Sequence, residues 1–468
     1  MSLPEPSVRK YKISIENFID GEHVSHSVIL VKFQVDNFNE SSTGGVFIRD
    51  QRCQNWPCDY YQRCGSLLKF RCLLRLCAGV NTLTVNCCSV ETSLSLFFER
   101  PKQERLVELQ YIVCDGHDGR FQSTAEDSYV DDACQRINLA VELIQCLISE
   151  ALHEAGLARK TFRFEECRPV HSNLTLAGAL QADEGQLWNH LAKELIAGQV
   201  ASRETKHIGF LACTHFEGLN VPDYTEEDIK RRTRANIALG IGDVALVGTG
   251  CLYTWPSNLL DVVPHFHNIT PVDISRQMDD SNSRRTYGGC FATTLGALCH
   301  EIGHIFDLGH TQTGIMGTDF DLVNRFFLVD SPPNEILPPR IVGQCKASSG
   351  GKDPRLTRVR TENQYLKQFR KRQADLVFFE RPSLVTLFHH RWFNTALEVK
   401  PPEWRFENDT ISSRNPLRLV EIRDGITAVT IEYFEFSGEK QVFRLPAKFK
   451  RGDCNIIVMD VKGNVSRF

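Results

Sequence analysis

Four residues in one short stretch have the types and spacing needed for metal chemistry. They are His300, Glu301, His304 and His310, in the run Cys299-His300-Glu301-Ile302-Gly303-His304-Ile305-Phe306-Asp307-Leu308-Gly309-His310. Histidines four apart lie one turn apart on one helix face, so both imidazoles can reach a single ion. Glu301 stands beside that pair and can serve as general base on a water held there. A continuous helix would carry His310 roughly 9 Å beyond His304 along the axis. The chain must therefore leave the helix and turn back to deliver it. Three protein ligands with a fourth position for water form a catalytic rather than a structural zinc site. A bare H-E-x-x-H is a moderate signal. The third histidine and the Gly314-Ile315-Met316-Gly317 run behind it sharpen that signal. The bland alternative is a helix with two satisfied histidines and an incidental glutamate.

The helix that must carry these groups is expected from about 289 to 306, with Leu295, Leu298, Ile302 and Ile305 as its apolar stripe. Asp307 stands where this helix has to end. Aspartate is one of the few residues besides glycine that visits the left-handed backbone region, and Gly309 adds freedom two residues later. Asp307 could make the turn, bind the metal itself, or hydrogen-bond a ligand histidine. His310 is preferred to it as the third ligand. Met316 is expected as an apolar floor under the ion. Upstream, residues 243–253 read as a strand with glycines that permit close backbone approach. That strand is expected either at a sheet edge, holding a peptide as an added strand, or inside the sheet. His265 and His267 form another pair, more readily placed in a surface loop than on a metal.

His300, Glu301, His304 and His310 resemble the metzincin zinc signature, and Gly314-Ile315-Met316 resembles its Met-turn. With Gly317 and the following Asp321-Leu322-Val323-Asn324-Arg325-Phe326-Phe327, the stretch is similar to a eukaryotic zinc metallopeptidase family found from yeasts to animals. The resemblance implies Zn2+ as cofactor and a peptide or protein as substrate. Metzincins have glycine where this chain has Asp307, so the turn towards the third ligand is the point of departure.

The 468 residues carry 54 Lys and Arg against 58 Asp and Glu, a net charge of −4. Bulk attraction to nucleic acid is not expected from that balance. No apolar leader stands at the N-terminus and no apolar run is long enough for a membrane span. Seventeen cysteines without C-x-x-C pairs read as thiols in a reducing compartment, so a cytoplasmic location is expected. The densest group runs from Cys53 through Cys58, Cys64, Cys72, Cys77 and Cys87 to Cys88, without zinc-ribbon spacing.

Four regions are expected. Residues 1–103 form an N-terminal β-sandwich-like module and 104–331 the peptidase domain. Residues 332–410 form a basic linker and helical extension, whose charge reads as a solvated face, and 411–468 a C-terminal β-rich module. The fold class is α/β (α+β): a metzincin-like zinc peptidase core with an N-terminal β-sandwich and a C-terminal β-rich accessory region. The β modules are candidates for protein binding. The function expected is peptide hydrolysis by a zinc-held water with Glu301 as general base. The rival is a non-catalytic zinc-binding scaffold that keeps the fold.

Overall fold

A computed structural model describes residues 12–36, 45–60, 67–87, 90–102, 105–198, 204–221, 223–329, 377–394, 403–449 and 454–468. The proline-marked break at 331–333, the basic run at 355–372, Cys64 and Cys88 lie outside the described residues.

Alternating apolar residues build two N-terminal sheets. One has the order β1 (Lys12–Ile15), β3 (Val28–Asp36), β7 (Leu67–Arg75), β6 (Asp59–Tyr60). The other runs β2 (Glu22–Val24), β9 (Val90–Phe98), β8 (Gly79–Cys87), β4 (Val46–Arg49), β5 (Asn55–Pro57). Strand β9 shows the period of two plainly, with Leu94, Leu96 and Phe98 buried and the residues between them more open.

The middle of the chain is a five-stranded sheet with helices on both faces. Its order is β11 (Phe164–Thr175), β10 (Leu106–Asp115), β12 (Thr205–Leu211), β16 (Val244–Gly248), β15 (Ala238–Ile241). The first four strands are parallel and β15 closes one edge antiparallel to β16. Two-residue strands β13 (His215–Phe216) and β14 (Thr233–Arg234) flank a short helix, α4 (Glu226–Arg232). Alternate residues of β10 face different layers. Tyr111 and Val113 join the cluster that holds α1 (Val130–Glu154) and α6 (Tyr287–Ile305). Ile112 and Cys114 join the cluster with α2 (Leu176–Gln181) and α3 (Glu184–Ala197). Parallel strands bury both faces in this way.

Helix α1 is apolar on most of its circumference because it touches β3 as well as β10, β11 and α6. One apolar cluster therefore runs from Ile13 in β1 through α1 and α6 to Phe393, without a break near residue 103. After α6 come α7 (Asn324–Phe327) and, beyond the undescribed segment, α8 (Arg381–His389). The C-terminal strands form a three-stranded sheet, β17 (Trp404–Glu407), β18 (Thr410–Ser413), β21 (Val442–Arg444). A four-stranded sheet follows the order β20 (Thr430–Glu435), β19 (Leu417–Asp424), β22 (Cys454–Asp460), β23 (Val465–Arg467). Val385 of α8 packs on Leu419 and Met459 of that sheet. No helix among the described residues is long and apolar enough to cross a membrane.

Of the two places expected for residues 243–253, the sheet interior is the one found. Residues 243–253 do not make an edge: β16 ends at Gly248 and pairs on both sides, with β12 and β15, and the open edge is β15. The strand that follows α1, β11, begins at Phe164 and continues to Thr175. It is an edge strand with most side chains towards solvent, so it lacks the apolar alternation that marks a strand in sequence.

A buried ion network joins the N-terminal sheets to α1. Glu150 accepts from Asn17 Nδ2 at 2.9 Å and Arg159 Nη2 at 2.9 Å, and Lys32 Nζ lies 3.3 Å away. Burial works to raise the Glu150 pKa, but Lys32, Arg159 and Asn17 hold it below the ordinary carboxylate value. A depressed folded pKa contributes stability above the ordinary value of about 4.3, and that contribution is lost as pH falls through the folded value. Glu150→Gln should therefore cost about 2 kcal/mol near neutral pH, because Lys32 and Arg159 keep only their other carboxylate partners, Glu154 and Glu22. Urea denaturation should show that the gap from wild type narrows once pH drops below about 4. An unchanged gap across that range would remove the network from the stability of the junction.

Candidate metal centre

Helix α6 places the first three functional side chains. Thr286 caps its start, accepting from Gly289 N at 3.1 Å. His300 and Glu301 are fully buried and His304 is half-buried. The helix ends at Ile305 and Asp307 takes φ of 63°. Leu308 N then reaches Gly303 O at 3.1 Å and Asp307 N reaches His304 O at 3.1 Å. This pair of bonds is a Schellman ending with aspartate at the left-handed position. The turn redirects the chain so that His310 comes back to the two helical imidazoles. Ring centroids of His300 and His310 are 5.3 Å apart, and those of His304 and His310 4.7 Å.

Each imidazole gives one nitrogen to a backbone carbonyl. His300 Nδ1 meets Ile315 O at 2.8 Å, His304 Nδ1 meets Leu308 O at 3.0 Å, and His310 Nδ1 meets Thr427 O at 3.0 Å. A carbonyl can only accept, so each Nδ1 carries the proton and each Nε2 of the neutral ring is a lone pair. The rings stay neutral. Burial, with His310 adding to it, pushes His300 down to about 3. Burial and the other two rings push His304 well below its ordinary value. Burial also lowers His310, partly opposed by the Thr427 carbonyl and assisted by Arg423.

One ligand atom from each of the three histidines lies within 4.8 Å of the others, and His300 Nε2 and His304 Nε2 are 3.0 Å apart. Lone pairs brought this close repel unless a cation lies between them. Neutral imidazole nitrogens oriented by carbonyls at the opposite ring atom are the donor set that suits zinc, so the residues present fit that ion.

Glu301 is held from the sheet edge. Its Oε2 accepts from Gly240 N in β15 at 2.6 Å, while Oε1 is buried without a partner. Gly240 is needed for the approach, since a Cβ there would lie 2.4 Å from Glu301 O. Burial pushes the Glu301 pKa well above the ordinary carboxylate range, against the pull of the Gly240 amide.

The supporting residues take other places. Asp307 lies outside the cluster of three potential ligands. Its Oδ1 accepts from Arg467 Nη2 at 2.7 Å and its Oδ2 is 3.3 Å from His390 Nε2, which is no ligand. Burial acts to raise its pKa, but His390, Lys206 and Arg467 hold it low. Met316 is fully buried against the motif helix, with Sδ 2.4 Å from the point a Cβ on Gly303 would occupy. Ile315, beside it, supplies the carbonyl for His300. Gly309 leaves room for Arg423, whose Nε is 2.3 Å from the place of a Cβ. His265 and His267 lie at the end of α5 (Val262–Phe266), bonded to Thr254 O at 2.9 Å and Asp59 Oδ1 at 3.4 Å, and belong to no described metal cluster. Sequence reasoning missed Gly240, Leu308, Thr427 and Arg423. The first three act through backbone atoms and leave no side-chain signal.

A family model described as "Putative peptidase family" matches residues 12–378. A Saccharomyces cerevisiae protein named "Putative zinc metalloproteinase" is 39% identical over 99 residues, 20% of this chain and 14% of that protein. A Schizosaccharomyces pombe protein of the same description is 24% identical over 212 residues, 42% of this chain and 34% of that one. The chain thus spans about a third or less of these relatives. The crystal structure of amylomaltase from Corynebacterium glutamicum aligns over 26% of this chain and 19% of that one at 6% identity, with a TM-score of 0.13 that carries no argument about fold. With most of its length matched by the family model and its three histidines gathered at one point, the chain belongs to this eukaryotic zinc metallopeptidase family.

Proposed function

We propose that the protein is a zinc-dependent peptidase with a metzincin-like core, in which His300, His304 and His310 hold the ion and Glu301 is the general base. The observation that carries this reading is the pairing of three oriented imidazoles with a buried carboxylate whose Oε1 has no partner. When bound there, zinc supplies Lewis acidity to a scissile carbonyl and to an attacking water. Glu301 is fixed through Oε2 and free at Oε1, so Oε1 takes the proton of the attacking water and returns it to the leaving amine. Burial makes the Glu301 carboxylate a stronger base, which suits a group that must take up that proton.

β15 is the outermost strand of its sheet, and its outward amides at Ala238 and Gly240 are already bonded to Glu184 Oε1 at 3.1 Å and Glu301 Oε2 at 2.6 Å, so an extended peptide seated beside it has the carbonyls of that edge to pair with. Gly240 stands in that strand and touches Glu301, which puts the paired backbone next to the base. A cytoplasmic setting suits a chain in which buried thiols such as Cys146 and Cys299 stand outside any disulfide. A scaffold that only stored zinc would have no use for a buried carboxylate with an open oxygen, since such a group costs free energy without a partner.

Glu301→Gln should keep one equivalent of zinc and lose peptide cleavage by about 100- to 10000-fold, the usual contribution of a general base. A peptide-library assay beside metal analysis reads both, and equal cleavage by both proteins would end the catalytic reading. His310→Ala should release zinc, whereas Asp307→Ala should keep it and lose stability through the turn. If Asp307→Ala strips the metal while His310→Ala retains it, the ligand set named here is wrong.

A further inference from the structure

The third histidine is held by a part of the chain that lies beyond the residues matched by the family model. Its partners come from the turn between β19 and β20, residues 424–430. His310 N donates to Ala428 O at 3.2 Å, and His310 O accepts from Thr430 N at 2.8 Å. His310 pairs with Val429 as an isolated parallel bridge. The ring itself donates from Nδ1 to Thr427 O. Both the main chain and the side chain of this histidine are thus bonded to one turn of the C-terminal module.

That turn is built, not loose. Asp424 Oδ1 accepts from Ile426 N at 3.0 Å, Thr427 N at 2.7 Å and Thr427 Oγ1 at 2.8 Å. Ala428 N donates to Asp424 O at 3.0 Å, and Ala428 has φ of 56°. Beneath it lies a buried ion pair, Arg423 Nη2 to Glu421 Oε2 at 2.6 Å. Arg423 Nη2 also donates to Asp307 O at 2.7 Å, the carbonyl of the residue that turns the chain. The Thr430 hydroxyl stands between His310 O, at 3.1 Å, and the Glu421 carboxylate. Strand β19 therefore holds the stretch 307–310 from below, and the 424–430 turn holds it from its end.

We propose that the C-terminal module, residues 403–468, is a working part of the metal centre, with the 424–430 turn as a clamp on His310 and Asp424 as its positioning residue. The proposal rests on the zinc reading above. Partners that orient a ligand histidine through its other ring nitrogen are worth 10- to 100-fold in metal affinity. Because His310 is bonded to the turn through ring and backbone alike, binding of the ion and docking of the turn become one linked equilibrium. Zinc tightens the turn, and loosening the turn weakens zinc.

The test uses the full chain. Asp424→Ala should weaken zinc about 10- to 100-fold in a chelator competition and change the visible spectrum of the cobalt(II) form. Denaturation of the metal-free variant should stay close to that of wild type. Asp424→Asn keeps an oxygen at Oδ1 that can accept the same three bonds, so it should restore affinity and spectrum. Wild-type affinity and an unchanged cobalt spectrum in Asp424→Ala would overturn the clamp. Should that variant fail to fold, hydrogen exchange of wild type decides: zinc should slow exchange at the amides of 424–430, and no change there overturns the proposal. A wild-type protein that binds neither zinc nor cobalt would instead remove the zinc reading on which the clamp rests.

Discussion

An imidazole can share a cation usefully only when its second nitrogen is also held. Here that requirement is met three times by backbone carbonyls from three separate segments. Leu308 belongs to the turn that ends α6, Ile315 to the Gly-Ile-Met turn, and Thr427 to a C-terminal loop. The centre is therefore the place where a helix end and two turns must meet. The sheets and helices around it matter to the site mainly because they bring those three carbonyls into register.

The junction at Asp307 shows how closely the requirement constrains the chain. A left-handed residue is needed there so that the Leu308 carbonyl can face His304 and His310 returns to the two helical imidazoles. Aspartate pays a local conformational penalty, of order 1–2 kcal/mol, that glycine does not. Its carboxylate meets Arg467 and His390, and its carbonyl meets Arg423. These contacts offset that penalty and tie the turn to β19, β23 and the end of α8. Phe306, one residue earlier, is fully buried with Phe162 and Phe393 at ring distances of 5.1 and 5.0 Å. A glycine at 307 could make the same turn but could not make the two carboxylate contacts.

What could be read in the sequence was what side chains encode locally. The spacing of His300, Glu301 and His304 specifies one helix face, and the apolar stripe of α6 supports it. The third histidine could be named, but its partner on Thr427, 117 residues away, could not, because a carbonyl has no residue type. Which strand forms the sheet edge is left open by the sequence for a related reason. Strands β15 and β16 are both short and apolar, and only long-range pairing decides which is outermost. Strand β11 leaves little trace in the sequence because Glu165, Glu166 and Arg168 face outward from an edge and give no alternation to detect. Nothing changes at the boundary expected at 103, because the next described element is another strand, β10, and apolar packing continues from the N-terminal sheets through α1.

The position of the base follows from packing rather than from the motif alone. Helix α6 and strand β15 approach so closely that only a residue without a Cβ fits at 240. That contact sets the separation between the open sheet edge and the helix carrying both ligands and base. It also uses the Gly240 amide on Glu301 Oε2, so one carboxylate oxygen is immobilised and the other remains free. A backbone laid along β15 would then meet the carboxylate at a distance fixed by the core, not by a mobile loop. Rigid elements hold catalytic groups more closely than loops do. The division of labour follows: the helix and sheet edge fix Glu301, His300 and His304, while His310 depends on a turn from the C-terminal module.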